Sequence, residues 1–347
     1  MEAMVAADSG VAPAAKARVP RWLPRRTGRR AGGEGRRGGR DRARGRVLAA
    51  LAVLTAALLV FHGAVPNSVG RLGSLLETFL PWLGVVVGLL FGLALLRRSV
   101  LALAALVLPV TAWACLFGGL LLPAAAPDRP ALTVVQHNVS DENADPAGTA
   151  RALAGAGPDL IALQELVPSA LPVYDKVLAD RFPHRSVRGT VGLWSRYPLS
   201  DPRPLDIRPA GVDESWRRAL RATVHTPHGE IAAYVAHLPS VRVGASGLAS
   251  SRRDESAALL GEAVAAEELR TVLVLGDLNG TVDDRGLAPL TSRLDAADRG
   301  FAFSFPAGFP VARIDQVLAR SATVGRIRAL PATGSDHLPV AARVFLD

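Results

Sequence analysis

Three long apolar stretches near the N-terminus constrain this chain more than any other feature. They run from Val47 to Val65, from Thr78 to Leu96 with Pro81 inside, and from Val100 to Leu122 with Pro109 inside. Each reaches the roughly 20 residues that a helix needs to cross the hydrocarbon core of a bilayer. None carries the polar face expected of a helix packed in a soluble core. A cleaved signal peptide would account for the first stretch alone. Residues 47–122 are therefore read as three transmembrane helices.

Charge supplies an orientation. The chain of 347 residues has a formal net charge of +9. Residues 1–46 hold 13 of its 40 basic and 4 of its 31 acidic residues, which leaves 27 of each in the remainder. The whole excess thus sits in one Arg/Gly/Ala-rich arm, which lacks the apolar surface to fold and is read as disordered. Such an arm is either a tail for nucleic acid or anionic lipid, or a cytoplasmic anchor beside the first span. The positive-inside rule fits the second reading, because Arg97 and Arg98, between spans two and three, fall on the same side. The loop from Pro66 to Glu77 has only Arg71 as a basic residue and belongs outside. Three crossings then place everything after Leu122 outside a multi-pass cell-membrane protein. The single cysteine, Cys115, lies in the third span, so the outer domain folds without disulfides. The Pro/Ala-rich linker 123–130 reaches at most about 28 Å, at roughly 3.5 Å per residue. It holds residues 131–347 close to the lipid headgroups.

From Ala131 onward the pattern changes to short apolar runs between turn residues. Strands are expected at Leu132–Val135, Asp159–Leu163, Val191–Ser195, Ala219–His225, Ile231–His237, Thr271–Leu275, Arg313–Leu318 and Leu338–Phe345. Helices are expected at Pro146–Ala156 and within Leu248–Leu269. Several strands follow one another without a helix between them, which favours a layered α/β sandwich over a doubly wound sheet.

Polar residues gather where these strands end: Asn138, Glu165, His237, Asp277, Asn279, Asp315, Asp336 and His337. Hydrolysis of a phosphate ester needs such a set. Mg2+ takes oxygen ligands, one or two of them carboxylates; Glu165 fits as the principal ligand, with Asn138 and Asp336 in support. Mn2+ is an alternative ion. An attacking water must lose or orient a proton. His337 can do this if Asp315 holds its other ring nitrogen, and Asp277 is the competing base. Asn279 and His237 can donate to oxygens that gain charge at phosphorus. His137, His184, His225 and His228 stand outside any motif and are read as structural or exposed. Arg217, Arg218 and Arg221 either face substrate phosphate or form a solvated strand edge.

The ordered pieces carry a resemblance. Asn138, Leu163-Gln164-Glu165, Ala236-His237-Leu238, Gly276-Asp277-Leu278-Asn279-Gly280, Arg313-Ile314-Asp315 and Gly334-Ser335-Asp336-His337 resemble the endonuclease/exonuclease/phosphatase (DNase I-like) superfamily. Gly192 to Pro198 adds the strand and Ser-Arg-x-Pro turn of the same group. The resemblance covers essentially all of 131–347. It implies a four-layered α/β sandwich, Mg2+-dependent cleavage of phosphoester bonds, and the residue roles given above. Val139 stands where the superfamily often has an aromatic residue, and the domain is compact, both of which point away from an AP-endonuclease type of activity.

Charge then narrows the substrate. Residues 124–347 hold 24 basic and 26 acidic groups, without the basic surplus usual in nonspecific nucleic-acid binding. A site tethered beside headgroups meets lipid phosphates at high effective concentration. The expected substrate is a membrane lipid phosphate or pyrophosphate, with an external nuclease as the rival enzyme and a phosphate-sensing module as the non-catalytic alternative. The layout is similar to that of actinobacterial membrane proteins linked to teicoplanin resistance, a resemblance that implies undecaprenyl pyrophosphate as substrate.

Overall fold

The computed structural model describes residues 34–123, 128–245 and 247–347. Of the expected N-terminal arm, residues 1–33 lie outside the described residues. From Glu34 the chain is helical rather than irregular. Helix α1 is Glu34–Phe61, and its apolar part, with the turn that follows, gives a 20-residue candidate span, Gly45–Ala64. Helix α4 (Val100–Leu121) is the other helix long and apolar enough to cross a membrane. It starts where Ser99 Oγ accepts a hydrogen bond from the Ala102 amide, and Pro109 is accommodated inside it.

The middle stretch departs from a plain span. It forms α2 (Leu72–Thr78), a 3-10 turn at Leu80–Trp82 and α3 (Leu83–Leu96). The axis bends by 64° at Phe79. Pro81 is the physical reason, since it has no N–H to continue the ladder and its ring disfavours a helical residue before it. At 14 residues, α3 alone spans only about 21 Å. Buried Val87, Leu90 and Ala94 of α3 pack with Ala102 and Leu106 of α4 and Ala52 of α1. Only 22% of each full-length span is buried, and Val and Leu side chains stand exposed along all three helices, a surface suited to lipid.

After Pro130 the chain forms two six-stranded sheets. The elements in order are β1 (Ala131–Asn138), α5 (Pro146–Gly155), β2 (Leu160–Gln164), α6 (Leu171–Leu178), β3 (His184–Arg188) and β4 (Val191–Ser195). Next come β5 (Leu199–Pro204), β6 (Ala219–Thr226), β7 (Gly229–His237), a small pair β8 (Val243–Gly244) and β9 (Gly247–Leu248), α7 (Ser251–Ala265) and β10 (Thr271–Asp277). The domain closes with α8 (Ala288–Thr291), β11 (Asp295–Ala296), β12 (Asp315–Arg320), β13 (Ala322–Ala329) and β14 (Val340–Leu346). One sheet has the order β13-β14-β1-β2-β4-β3 and the other β11-β12-β10-β7-β6-β5.

Central strands alternate between two apolar layers. Leu273 and Leu275 of β10 and Ile231, Ala233 and Val235 of β7 face the other sheet, meeting Leu132, Val134, Leu160 and Ala162. Val272, Val274, Ala232 and Tyr234 face the opposite way, onto Ala257, Leu260 and Val264 of α7. On the far side Val135, Ile161 and Leu163 pack on Leu153 of α5 and Tyr174 and Leu178 of α6. These strands are buried on both faces and so read as continuous apolar runs. The layers are helix, sheet, sheet, helix, the four-layered sandwich expected.

Topology brings the chemistry to one rim. β1 runs parallel to β2, and β7 parallel to β10. β14 is antiparallel to β1, and β12 to β10. The C-terminal ends of the four parallel strands therefore meet the starts of β12 and β14.

The same rim is fastened to the apolar helices. The Trp82 indole N–H donates to the Val311 carbonyl at 2.7 Å. The Gly300 amide donates to Leu120 O and the Leu248 amide to Gly70 O, both at 2.9 Å. Trp82 stacks on Phe303 and Trp113 on Phe301. All of these anchor points lie at the ends of the helices remote from Arg97 and Arg98.

Candidate active site

Asp277 is the last residue of β10, in register with His237 on one side and Asp315 on the other. Three polar side chains thus stand in one row at the sheet end. Gly276 makes the row possible, because a Cβ there would meet the Ala236 carbonyl oxygen at 1.9 Å. Asn279 sits in the left-handed region at φ 46°. Its amide donates to Asp277 Oδ1 at 2.9 Å and its side-chain Nδ2 to Leu238 O at 2.9 Å. The GDLNG motif is thus an Asx turn that also fixes two polar side chains.

The other sheet contributes across the gap. Asn138, at the end of β1, donates from Nδ2 to Asp277 Oδ2 at 3.1 Å. Gln136, two residues earlier, donates to Asp315 Oδ1 at 2.8 Å. The second oxygen of Asp315 lies 2.9 Å from His337 Nδ1. Nε2 of His337 is then 3.7 Å from Asp277 Oδ2. The Ser335 hydroxyl donates to Asn138 O and accepts from the His337 amide, tying the GSDH turn to β1. Phe305 packs on the His337 ring, with centroids 4.8 Å apart.

Glu165 follows β2 in the left-handed region at φ 60°. Such a backbone is costly for a residue with a Cβ and is retained where the surroundings enforce it. Glu165 Oε1 lies 3.6 Å from His237 Nε2, which is itself 3.6 Å from Asp277 Oδ2. Glu165 is partly open to solvent, while His237, Asp277 and Asp315 are buried. Asp336 is exposed and lines the same cavity as Glu165, Asp277, Asn279 and His337. All eight singled-out residues are therefore at one rim of the sandwich.

Electrostatics separates their states. Burial pushes the Asp277 carboxyl up, to about 7, and Asp315 adds to this against the opposing pull of His337, Asn138 and the Asn279 amide. Burial opposes a charged His337, yet Asp315 and Asp277 outweigh it and hold the imidazolium up to about 10. His237 is driven the other way, well below its ordinary value, by burial and then by the Arg218 guanidinium and His337. Two histidines a few ångströms apart thus have opposite character, one a held cation and one a neutral ring.

The donor chemistry suits a hard cation. Glu165 and Asp336 bring carboxylates to the cavity lining, while buried Asn138 stands behind them with its amide oxygen accepting the Ser140 amide at 3.0 Å. A second arrangement, Asp277 with Asp315 and His337, also places its ligand atoms within 4.8 Å of one another. In that group both ring nitrogens of His337 already face carboxylates.

Sequence reasoning missed several contributors. Gln136 lies inside a strand with no motif to mark it. Arg242 lines the cavity from an irregular segment. Of the arginines left open between substrate and strand edge, Arg218 comes within 3.3 Å of His237 Nδ1, whereas Arg221 neither faces the site nor forms a solvated edge: it is buried against Glu267 at 3.0 Å. His137 is buried beside Thr333 Oγ1 at 2.8 Å, a structural histidine as expected.

A family model described as "Endonuclease/Exonuclease/phosphatase family" matches residues 135–337, more than half of the chain. No curated protein matches significantly in sequence. Among solved structures, humanized D. rerio TDP2 aligns with a TM-score of 0.51 at 19% identity, over 62% of this chain and 98% of that one. D. rerio TDP2 complexed with a single-strand DNA product gives 0.51 at 18%, over 62% and 98%. A family protein from Bacteroides thetaiotaomicron gives 0.51 at 17%, over 64% and 100%. At these identities the likenesses establish the fold.

Proposed function

Because the chain belongs to the endonuclease/exonuclease/phosphatase family of phosphoester hydrolases, we propose that it is a membrane-anchored, Mg2+-dependent hydrolase that cleaves a phosphoester or pyrophosphate bond of a membrane lipid. One observation supports the lipid half of this reading above others: the catalytic rim is bonded directly to the apolar helices. Arg285, a short way beyond Asn279, donates to Glu77 of α2 at 2.7 Å and to the carbonyls of His62 and Val65. A site fixed at the helix ends opens where headgroups are.

In this reading Asp277 accepts the proton of the attacking water as its oxygen bonds to phosphorus and the bond to the leaving group breaks. His337 is flanked by two carboxylates, which hold it as a cation; its Nε2–H faces and orients Asp277. Asp315 and Gln136 fix its ring. Asn279 and neutral His237 add donors where charge accumulates. Glu165, Asn138 and Asp336 are the proposed metal-holding residues. Bound there, a divalent cation would neutralise charge on the phosphoryl oxygens.

The basic arm and Arg97-Arg98 support a cytoplasmic N-terminus, and anchor points at the opposite helix ends support the reading of a hydrolase domain outside the cell. The layout resembles the teicoplanin-resistance group, which favours undecaprenyl pyrophosphate as substrate. A rival nuclease reading draws on the similar fold of TDP2 bound to a DNA product; the absent basic surplus weighs against it. The test uses full-length protein with and without Mg2+. Phosphate release from a polyprenyl pyrophosphate should exceed nicking of plasmid DNA in molar rate; the opposite ranking would establish the nuclease.

A further inference from the structure

We propose that the active-site cavity carries a built subsite for the hydrocarbon chain of its substrate, with Phe79 as the residue that selects chain-bearing phosphates. This deepens the lipid reading above and rests on it. The cavity, about 350 Å3, has two kinds of lining. Glu165, Asp277, Asn279, Asp336 and His337 supply polar groups, with Arg242 and Asp284 as further charges. Phe79, Val241, Val243, Leu248, Val311 and Ile314 supply apolar side chains. A phosphate ester without a chain would meet the polar groups only and leave the apolar lining exposed to water.

The source of that wall is what points to a lipid chain. Phe79 comes from the bend between α2 and the 3-10 turn, the place where Pro81 breaks the middle apolar stretch. The bend lays the Phe79 ring into the catalytic cavity, where it remains 37% exposed. A straight span would continue past this point as helix. The membrane part of the chain therefore forms one side of the active site.

Exposed apolar residues tell the same story from the other side. Among the described residues of 128–347, the large hydrophobic side chains left exposed are Val243 and Phe309. Val243 lines the cavity. Phe309 lies in the turn between the bridged residues Phe305 and Ala312, and Val311 of that turn accepts the Trp82 indole hydrogen bond. One exposed apolar side chain thus lines the cavity that Phe79 walls, and the other lies two residues from its lining residue Val311.

Trp82, bonded to the cavity-lining Val311, lines a second, almost wholly apolar cavity of about 510 Å3. Val85 and Val87 of α3, Val110 and Trp113 of α4, and Phe303 also line it. It lies against the two helices that face lipid. A chain leaving the catalytic cavity past Phe79 and Trp82 would pass along this groove into the bilayer core, so the substrate enters sideways from the membrane with its head toward His337.

The experiment compares two pyrophosphates with the same head, farnesyl (C15) and isopentenyl (C5), on the full-length protein in lipid nanodiscs. The readout is the ratio of kcat/KM for C15 over C5. Wild type should favour C15 at least a hundredfold. Phe79→Ala should reduce the ratio at least tenfold, and Phe79→Leu should restore most of it. Val243→Ser, at an exposed position, should lower the ratio too and keeps the test open should Phe79→Ala fail to fold. A wild-type ratio near one overturns the lipid reading and this inference together. A high wild-type ratio that persists in Phe79→Ala, or in Val243→Ser where the first variant does not fold, overturns this inference alone.

Discussion

Replacing Glu77 by alanine tests whether the helices and the loop after Asn279 form one mechanical unit. Glu77 is 2% exposed. Its carboxylate accepts from the Arg285 amide at 3.0 Å and from Nε and Nη2 at 2.7–3.0 Å. Removing one partner of a buried pair costs about 3–5 kcal/mol, because the other charge is left without compensation. Arg285 keeps two carbonyl acceptors, Val65 and His62, and its side chain is 29% exposed, so the lower end, about 3 kcal/mol, applies. For a domain of this size that is a fall in Tm of roughly 6–12 °C. The effect should reach the site. Asp284, next to Arg285, bonds to Arg253, whose Nη1 donates to the Asn279 carbonyl at 2.9 Å. Loosening this chain frees the Asx turn, and kcat/KM should fall about tenfold. The assay is thermal unfolding in detergent micelles with kinetics on the same samples, for Glu77→Ala, Arg285→Ala and the double variant. The double variant should be little worse than either single one. A Tm change below about 2 °C, or fully additive losses, would refute the reasoning.

Other consequences can be measured independently. Gly276→Ala drives a Cβ into the Ala236 carbonyl and should destabilise by about 1–3 kcal/mol; an unchanged denaturant midpoint would contradict the close approach. Burial alone would raise the Glu267 carboxyl, but hydrogen bonds from Arg221, the Leu269 amide and Tyr234 outweigh it and hold it at about 2. A depressed carboxyl stabilises the fold above its unfolded value near 4.5 and loses that contribution as pH falls through about 2. Glu267→Gln should therefore flatten the acid limb of the stability curve between those limits, and an unchanged limb would remove the ion pair from the account. A phosphatase reporter fused after Asp347 should be active only if exported, so cytoplasmic reporter signal would overturn the outward orientation.

Much of the fold was legible because its strands are uniformly apolar and end in polar residues. The sequence run Val191–Ser195 is β4 itself, and Thr271–Leu275 is the body of β10. Less was visible where burial is one-sided or absent. β5, with Asp201, Pro202 and Arg203 exposed, has no strand periodicity and is held by pairing with β6. The bend at Phe79 was not foreseen, although Pro81 marked the place, because hydropathy sums composition and is blind to a missing N–H. Candidate site residues such as Asp277 and His337, which the fold brings to one rim, were readable from short motifs at strand ends. Gln136 and Arg253 were not, since their contributions depend on which strand or loop the fold sets opposite them, a property of pairing across more than twenty residues.

The most direct test of the account is hydrolysis of a simple chromogenic phosphodiester by the full-length protein in Mg2+, compared with Glu165→Ala, Asp277→Ala and His337→Ala at matched folding. Convergence of these side chains on one phosphorus centre predicts that each variant loses at least about a hundredfold in kcat. Near-wild-type turnover in all three, with unchanged circular dichroism, would mean that the chemistry happens elsewhere.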